Sequence, residues 1–214
     1  MSGGSHPHGS QPVRLAGVPL ERARAGAILL HGRGADAADI LGLATELDVD
    51  GVAYAAPEAA GHTWYPYSFL APIADNEPGI SSGLSVIASL VQRFEGAGLG
   101  AQRLLLMGFS QGACLTLEYA ARHARRYGGI AGLSGGLIGP PGTTRDYPGS
   151  FDATPVFLGC SDTDPHIPRE RVEETAEVLG RMGAEVTMRL YPSFGHAVNE
   201  DELEAVRAML RALV

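Results

Sequence analysis

The stretch RLLLMGFSQGACLTLEYAARHAR, residues 103–125, decides the fold. Its first part is a continuous apolar run, residues 104–107, of the kind that forms a buried parallel strand. Its second part carries apolar side chains at helical spacing, namely Ala113, Leu117, Ala120 and Ala124. The two parts meet at GFSQG (108–112), whose glycines allow a strand to turn tightly into a helix. The stretch therefore predicts a strand, a turn and a helix, with Ser110 at the turn.

Similar apolar runs recur on both sides of this unit, at residues 25–32, 51–57, 128–135, 154–161 and 186–192. Apolar residues at helical spacing lie between them, in sets that begin at Leu84, Val172 and Leu203. Asn199 and Glu202 have the spacing of a capping box at the start of the last helix. The alternation predicts a single α/β domain with a mainly parallel central sheet and helices on both faces. Residues 1–12 are polar and predict a disordered tail, so the domain spans 13–214.

Composition excludes several classes of function. The chain has 214 residues, 45% of them hydrophobic, which is enough for one domain with a buried core. Its net charge of -8 has the wrong sign for binding nucleic acid or an anionic membrane. All 16 basic residues are arginine, which excludes Schiff-base, P-loop and Ser-Lys chemistry. No apolar run approaches the ~18 residues of a membrane span, so we expect a cytoplasmic protein with Cys114 and Cys160 reduced.

The pattern G-x-S-x-G occurs three times, around Ser81, Ser110 and Ser134. With 29 glycines the pattern is a weak indication by itself, and its context must decide. Ser81 and Ser82 follow a polar segment, and one or the other is interpreted as a helix N-cap. Ser134 leads into a Gly- and Pro-rich loop that cannot be a helix. Only Ser110 lies between a predicted strand and a predicted helix, and it is the candidate nucleophile.

A serine hydroxyl becomes a good nucleophile when a neutral imidazole accepts its proton and a carboxylate orients that imidazole. Of the histidines after Ser110, His196 alone lies between a predicted strand and the last helix, and we expect it to be the base. His123 lies within the helix that follows the serine, and His166 is too close to the best acid. The acid lies in SDTDP (161–165), where Asp164 is preferred because it precedes proline, with Asp162 as the alternative.

Acyl transfer also needs backbone N–H donors for the oxygen that becomes negative. We expect the amides of Gln111, after the nucleophile, and of Arg33, in HGRG (31–34), to form this oxyanion hole. Gly32 lets the backbone approach the substrate closely. The Arg33 side chain is expected at the mouth of the site, where it would favour polar or anionic substrates. Loop 58–79 carries four aromatic residues for substrate contact, Trp64, Tyr65, Tyr67 and Phe69.

Together these segments resemble the phospholipase/carboxylesterase family of α/β-hydrolases. The resemblance rests on LLHGRGADAADIL for the oxyanion segment, GFSQG for the nucleophile, SDTDPHIP for the acid loop and FGH for the terminal histidine. It implies the triad Ser110, Asp164 and His196, and it makes Trp64 a substrate-side tryptophan. Arg33 stands where thioesterase members usually have an apolar residue.

The resemblance implies a serine hydrolase that cleaves carboxylic esters of short to medium acyl length through an acyl-enzyme. An acyl-protein thioesterase or lysophospholipase is the alternative, and a non-catalytic binding protein of the same fold is a remote one. We expect no cofactor and no metal. The expected partner is a small-molecule ester, without nucleic acid or stable membrane insertion, and a homodimer is left open.

Overall fold

The computed structural model of the chain describes residues 6–214, and the first five residues of the predicted tail lie outside this range. Its centre is a seven-stranded sheet of order β1-β3-β2-β4-β5-β6-β7. The strands are β1 (Val13–Gly17), β2 (Ala25–Leu30), β3 (Val52–Pro57), β4 (Leu104–Phe109), β5 (Gly129–Leu133), β6 (Pro155–Ser161) and β7 (Glu185–Tyr191). Only β1 is antiparallel to its neighbour. The predicted mainly parallel sheet is confirmed.

Five helices cover the two faces of the sheet: α1 (Ala37–Leu47), α2 (Gly79–Gly96), α3 (Gln111–Arg122), α4 (Arg169–Arg181) and α5 (Glu200–Arg211). Apolar side chains of α2, α3 and α4 form one core with one face of the sheet, and those of α1 and α5 form a second core with the other face. Helices on both faces are therefore confirmed. Asn199 and Glu202 form the predicted capping box at the start of α5. Within residues 6–214, none of the helices combines the length and apolar character that a bilayer span requires.

Two edge strands differ from the sequence predictions. β1 was not predicted, because its five residues VRLAG form only a short apolar pattern and leave Arg14 and Leu15 exposed. β7 was predicted as a strand buried on both faces, but it lies at the opposite edge of the sheet and is largely exposed. A strand with one neighbour has less cover than a central strand, and this position is not visible in its local sequence.

The segment predicted as a disordered tail is docked on the domain at His8. His8 is only 4% exposed, its Nδ1 accepts a hydrogen bond from the Ala60 amide at 3.0 Å, and its Nε2–H donates to the Trp64 carbonyl at 2.9 Å. The His8 amide donates to the Ser82 hydroxyl. The prediction of disorder is thus wrong for His8, because side-chain contacts with residues far along the chain hold this segment.

Candidate active site

Ser110 lies at a sharp turn between β4 and α3. Its φ of 55° and ψ of −120° belong to a region that residues with a side chain rarely occupy. A Cβ at Gly108 would collide with the Gly112 backbone, and a Cβ at Gly112 would collide with the carbonyl oxygens of Leu30 and His31. Both glycines are therefore needed for the turn that presents the Ser110 hydroxyl at the carboxyl end of the sheet.

The three serines in the other two matches of the pattern lie elsewhere. Helix α2 begins at Gly79 with Pro78 as its N-cap, so Ser81 and Ser82 lie in its first turn, and the prediction that one of them is the N-cap is wrong. The Ser81 hydroxyl donates to Glu77, and the Ser82 hydroxyl accepts from the His8 amide. Ser134 is completely buried at the end of β5. None of the three lines the cavity in front of Ser110.

Ser110, His196 and Asp164 form a continuous chain of hydrogen bonds. The Ser110 hydroxyl donates to His196 Nε2 at 2.8 Å, and His196 Nδ1–H donates to Asp164 Oδ2 at 2.7 Å. Each side chain follows a different parallel strand: Ser110 follows β4, Asp164 follows β6 and His196 follows β7. Because the carboxyl ends of parallel strands meet at one edge of the sheet, three segments far apart in sequence converge there.

The Asp164 carboxylate is held in its charged form. Its side chain is completely buried, and burial opposes the charge. The hydrogen bond from His196 and those from the amides of His166 and Ile167 to Oδ1 outweigh this effect, and the pKa of Asp164 lies below its ordinary value. An ionised Asp164 sets the tautomer in which His196 Nε2 is free to accept a proton.

The loop before His196 is held by two neighbours of Asp164 that the sequence did not single out for this role. The Ser161 hydroxyl accepts hydrogen bonds from the amides of Phe194 and Gly195, each at 3.1 Å. Asp162 Oδ1 accepts from the Ser193 amide at 2.8 Å. Asp162 therefore binds a loop 31 residues away, whereas the carboxylate bonded to His196 is that of Asp164. These bonds fix the position of His196 relative to Asp164.

The segment HGRG lies against the nucleophile, as the predicted oxyanion hole requires. A Cβ added to Gly32 would stand 3.3 Å from the Ser110 Cβ, so this backbone passes beside the serine. Arg33 and Gln111 both line the cavity that contains Ser110 and His196. Gln111 is the first residue of α3, where backbone N–H groups have no acceptor within the helix.

Two side chains fix the aromatic loop in front of the site. Gln111 is buried. Its side-chain Oε1 accepts a hydrogen bond from the Trp64 backbone amide at 2.8 Å, and its Nε2–H donates to the Tyr65 carbonyl at 2.8 Å. The Arg33 guanidinium donates to three successive carbonyl oxygens of this loop, at 2.8 to 3.0 Å: those of Tyr65, Pro66 and Tyr67. The side chain of Arg33 therefore orders the loop as well as lining the cavity.

Trp64 does not line the cavity, contrary to the sequence prediction. It is 0% exposed, and its indole N–H donates to the His31 carbonyl at 2.9 Å. A large aromatic ring with a satisfied N–H is suited to the core, and Trp64 packs there against His8 and His31. Tyr65, Tyr67 and Phe69 from the same loop do line the cavity, which agrees with the expected substrate role of this loop.

The cavity has a volume of about 410 Å³. Its walls include the aromatic loop, Cys114 and Ile167, together with Ser110 and His196. His166, which was not predicted to be a site residue, also lines the cavity and lies edge-on to the His196 ring, with 4.8 Å between ring centroids. Cys114 is a free thiol, and burial raises its pKa to about 12, so it is not a competing nucleophile.

Comparison with known proteins gives the family of the chain. Residues 18–214 match the family model described as Phospholipase/Carboxylesterase. The crystal structure of a phospholipase/carboxylesterase from Dyadobacter fermentans is 42% identical, superposes with a TM-score of 0.91, and is covered over 97% of its length by 94% of this chain. SOBER1 of Arabidopsis thaliana, at 19% identity and a TM-score of 0.75, shares the fold over 89% of this chain and 99% of its own.

An acyl-protein thioesterase 1 of Gibberella zeae is 34% identical over 140 residues, which are 64% of this chain and 59% of the fungal protein. The match thus spans less than two thirds of the length of that curated relative. The family match, in contrast, covers nearly all of the described chain. The chain belongs to the phospholipase/carboxylesterase family and has the α/β-hydrolase fold of that family.

Proposed function

We propose that the chain is a serine hydrolase that cleaves carboxylic esters of short to medium acyl length through an acyl-enzyme. The observation that carries this proposal is the hydrogen-bonded chain from Ser110 through His196 to Asp164, which opens into the cavity. In this proposal Ser110 is the nucleophile, His196 is the general base and acid, and Asp164 orients His196. Tyr65 and the backbone beside Gly32 contact the substrate in this proposal, whereas the buried Trp64 side chain does not.

In the first step Ser110 Oγ attacks the carbonyl carbon of the ester, and its proton passes to His196 Nε2. The carbonyl electron pair moves to the oxygen, where the amides of Arg33 and Gln111 donate hydrogen bonds to the negative charge. When the carbonyl forms again, the C–O bond to the alcohol breaks, and the alcohol leaves with the proton from His196. Water then attacks the acyl-serine by the same route, which releases the acid and restores Ser110.

Cavity size supports the preference for shorter acyl groups. A volume of about 410 Å³ lies in the lower part of the range of about 300 to 1,000 Å³ for small-molecule sites. The alternative substrates are acyl-protein thioesters and lysophospholipids. Between these two, the name of the Gibberella zeae relative, an acyl-protein thioesterase, favours the thioester. The cytoplasmic location and the possibility of a homodimer stay predictions.

Labelling with a fluorophosphonate tests the proposal, because only a serine with a base and an oxyanion hole beside it reacts rapidly. We expect peptide mapping to find one adduct, on Ser110, and none in Ser110→Ala. An adduct on Ser81 or Ser134 would contradict the assignment. Hydrolysis of p-nitrophenyl esters from acetyl to palmitoyl, beside acyl-thioesters of the same lengths, then separates the ester from its alternatives.

A further inference from the structure

We propose that Arg33 makes this site selective for esters that carry a carboxylate a few bonds from the scissile bond. The inference rests on the proposed function and names its substrate class. It starts from the position of the Arg33 side chain, which lines the same cavity as Ser110 and His196.

The charge of Arg33 is not neutralised by an ion pair within residues 6–214. Its three hydrogen bonds go to carbonyl oxygens, which carry no net charge. The arginine ion pairs found within residues 6–214 involve other arginines. No aspartate or glutamate of this part of the chain lines the cavity. Arg33 therefore carries the only permanent charge among the described residues that line the cavity, because the Asp164 carboxylate is buried and bonded to His196.

The guanidinium is also fixed before a substrate arrives. Both N–H groups of Nη2 and one of Nη1 are used on the aromatic loop. The Nε–H and the second Nη1–H have no acceptor among the described residues, so they remain for a ligand. Because the loop already holds the group, binding an anion costs little further side-chain entropy.

The overall charge of the chain affects how an anionic substrate would approach the site. The net charge of -8 repels an anionic substrate, and a local positive charge at the catalytic cavity offsets that repulsion. The observations together point to a carboxylate in the acyl part or in the alcohol part of the ester.

Two matched pairs of esters test the inference and separate these two positions. Ethyl hydrogen succinate and ethyl succinamate differ only by a carboxylate or an amide in the acyl part. Acetoxyacetate and acetoxyacetamide make the same comparison in the alcohol part. We expect wild type to favour the carboxylate in at least one pair by about tenfold in kcat/KM, the size of one exposed charge-assisted hydrogen bond.

Three variants show whether Arg33 is the cause. In Arg33→Gln the ratio of the two kcat/KM values should fall to about one, and in Arg33→Lys part of the preference should remain. Arg103→Gln is the matched control, since Arg103 is exposed, also bonds only carbonyl oxygens, those of Arg24 and Leu213, and lies at the opposite end of β4. Its ratio should equal that of wild type.

A measurement on the wild-type protein alone tests the inference even if Arg33→Gln does not fold. The preference for the carboxylate should weaken when salt rises from about 0.01 M to about 1 M, because the screening length falls from about 30 Å to about 3 Å. A ratio of about one in wild type, or a ratio unchanged in Arg33→Gln, would overturn the inference alone. Absence of hydrolysis of all four esters, together with an unlabelled Ser110, would instead remove the proposed function and this inference with it.

Discussion

The Ser161 hydroxyl, at the end of β6, accepts a hydrogen bond at 3.1 Å from the amide of Gly195, the residue before His196. Ser161 is 1% exposed, so the acceptor of this bond is shielded from water. It connects the loop that carries Asp164 to the loop that carries His196. The distance between Asp164 and His196 therefore depends on a serine that touches neither reacting atom.

We predict that Ser161→Ala lowers kcat by about tenfold with little change in KM, because small displacements of a catalytic group are costly. Steady-state kinetics on one p-nitrophenyl ester measure this. Ser89→Ala is the control, since the Ser89 hydroxyl bonds only the Ser85 carbonyl on the exposed face of α2. Equal kcat values for the two variants would show that Ser161 does not position His196.

The two aspartates of the acid loop should differ in effect. Asp164→Asn should lower kcat by about 10⁴-fold, the loss known for the same change in a serine protease, because the amide favours the wrong tautomer of histidine. Asp162→Asn should stay active and keep its melting temperature, since an amide oxygen still accepts the hydrogen bond from Ser193. Purified variants assayed on one ester, with melting temperatures measured in parallel, decide this. A dead Asp162→Asn beside an active Asp164→Asn would exchange their roles.

Replacing each of two helical glycines with alanine should change the free energy of unfolding in opposite directions. Gly112→Ala places a methyl group against the carbonyl oxygens of Leu30 and His31 and should cost about 3 kcal/mol of unfolding free energy. Gly42→Ala in α1 has no heavy atom within 4 Å of the new Cβ and should gain about 0.5 to 1 kcal/mol. Urea unfolding gives both values. A Gly112→Ala variant of normal stability would contradict the close approach at the turn.

The buried histidines should make stability depend on pH. Burial is the main cause that lowers the pKa of both His8 and His31, which accept hydrogen bonds from the amides of Ala60 and Ala59. The unfolded chain then binds more protons than the folded one at pH values between the lowered pKa and the ordinary value of 6.5. Stability therefore falls as the pH falls below 6.5. In His8→Gln the melting temperature should change less with pH over this window, and an unchanged slope would contradict the prediction.

Glu202 should change the pH dependence of stability in the direction opposite to that of the buried histidines. Burial raises its pKa from 4.5 to about 7, and its Oε1 has no hydrogen-bond partner among the described residues. The folded chain then binds the proton more tightly, so stability is lost as the pH rises from 4.5 through 7. Glu202→Gln should melt above wild type at about pH 8, with a gap that closes at lower pH. A gap of the same size at every pH would contradict this.

Local sequence was sufficient for most of the fold. Continuous apolar runs predicted the central strands, and apolar spacing predicted four of the helices. Helix α1 was missed, although its capping box of Asp36 and Asp39 was visible in the sequence. The edge strands β1 and β7 were missed or misjudged, because the number of neighbours of a strand is a property of the whole sheet.

For the candidate site, the sequence by itself predicted Ser110 and His196, and it preferred Asp164 over Asp162. The turn at Ser110 follows from steric limits on residues 108–112, and His196 from its place after a parallel strand. The preference for Asp164 follows from the proline after it and from the family resemblance. Only the tertiary structure decided which neighbours serve the site. In it Trp64 is buried, the Arg33 side chain bonds the aromatic loop, and Ser161 holds the loop before His196. These contacts join residues about 30 positions apart, and no local pattern encodes them because they depend on how separate loops meet at the end of the sheet.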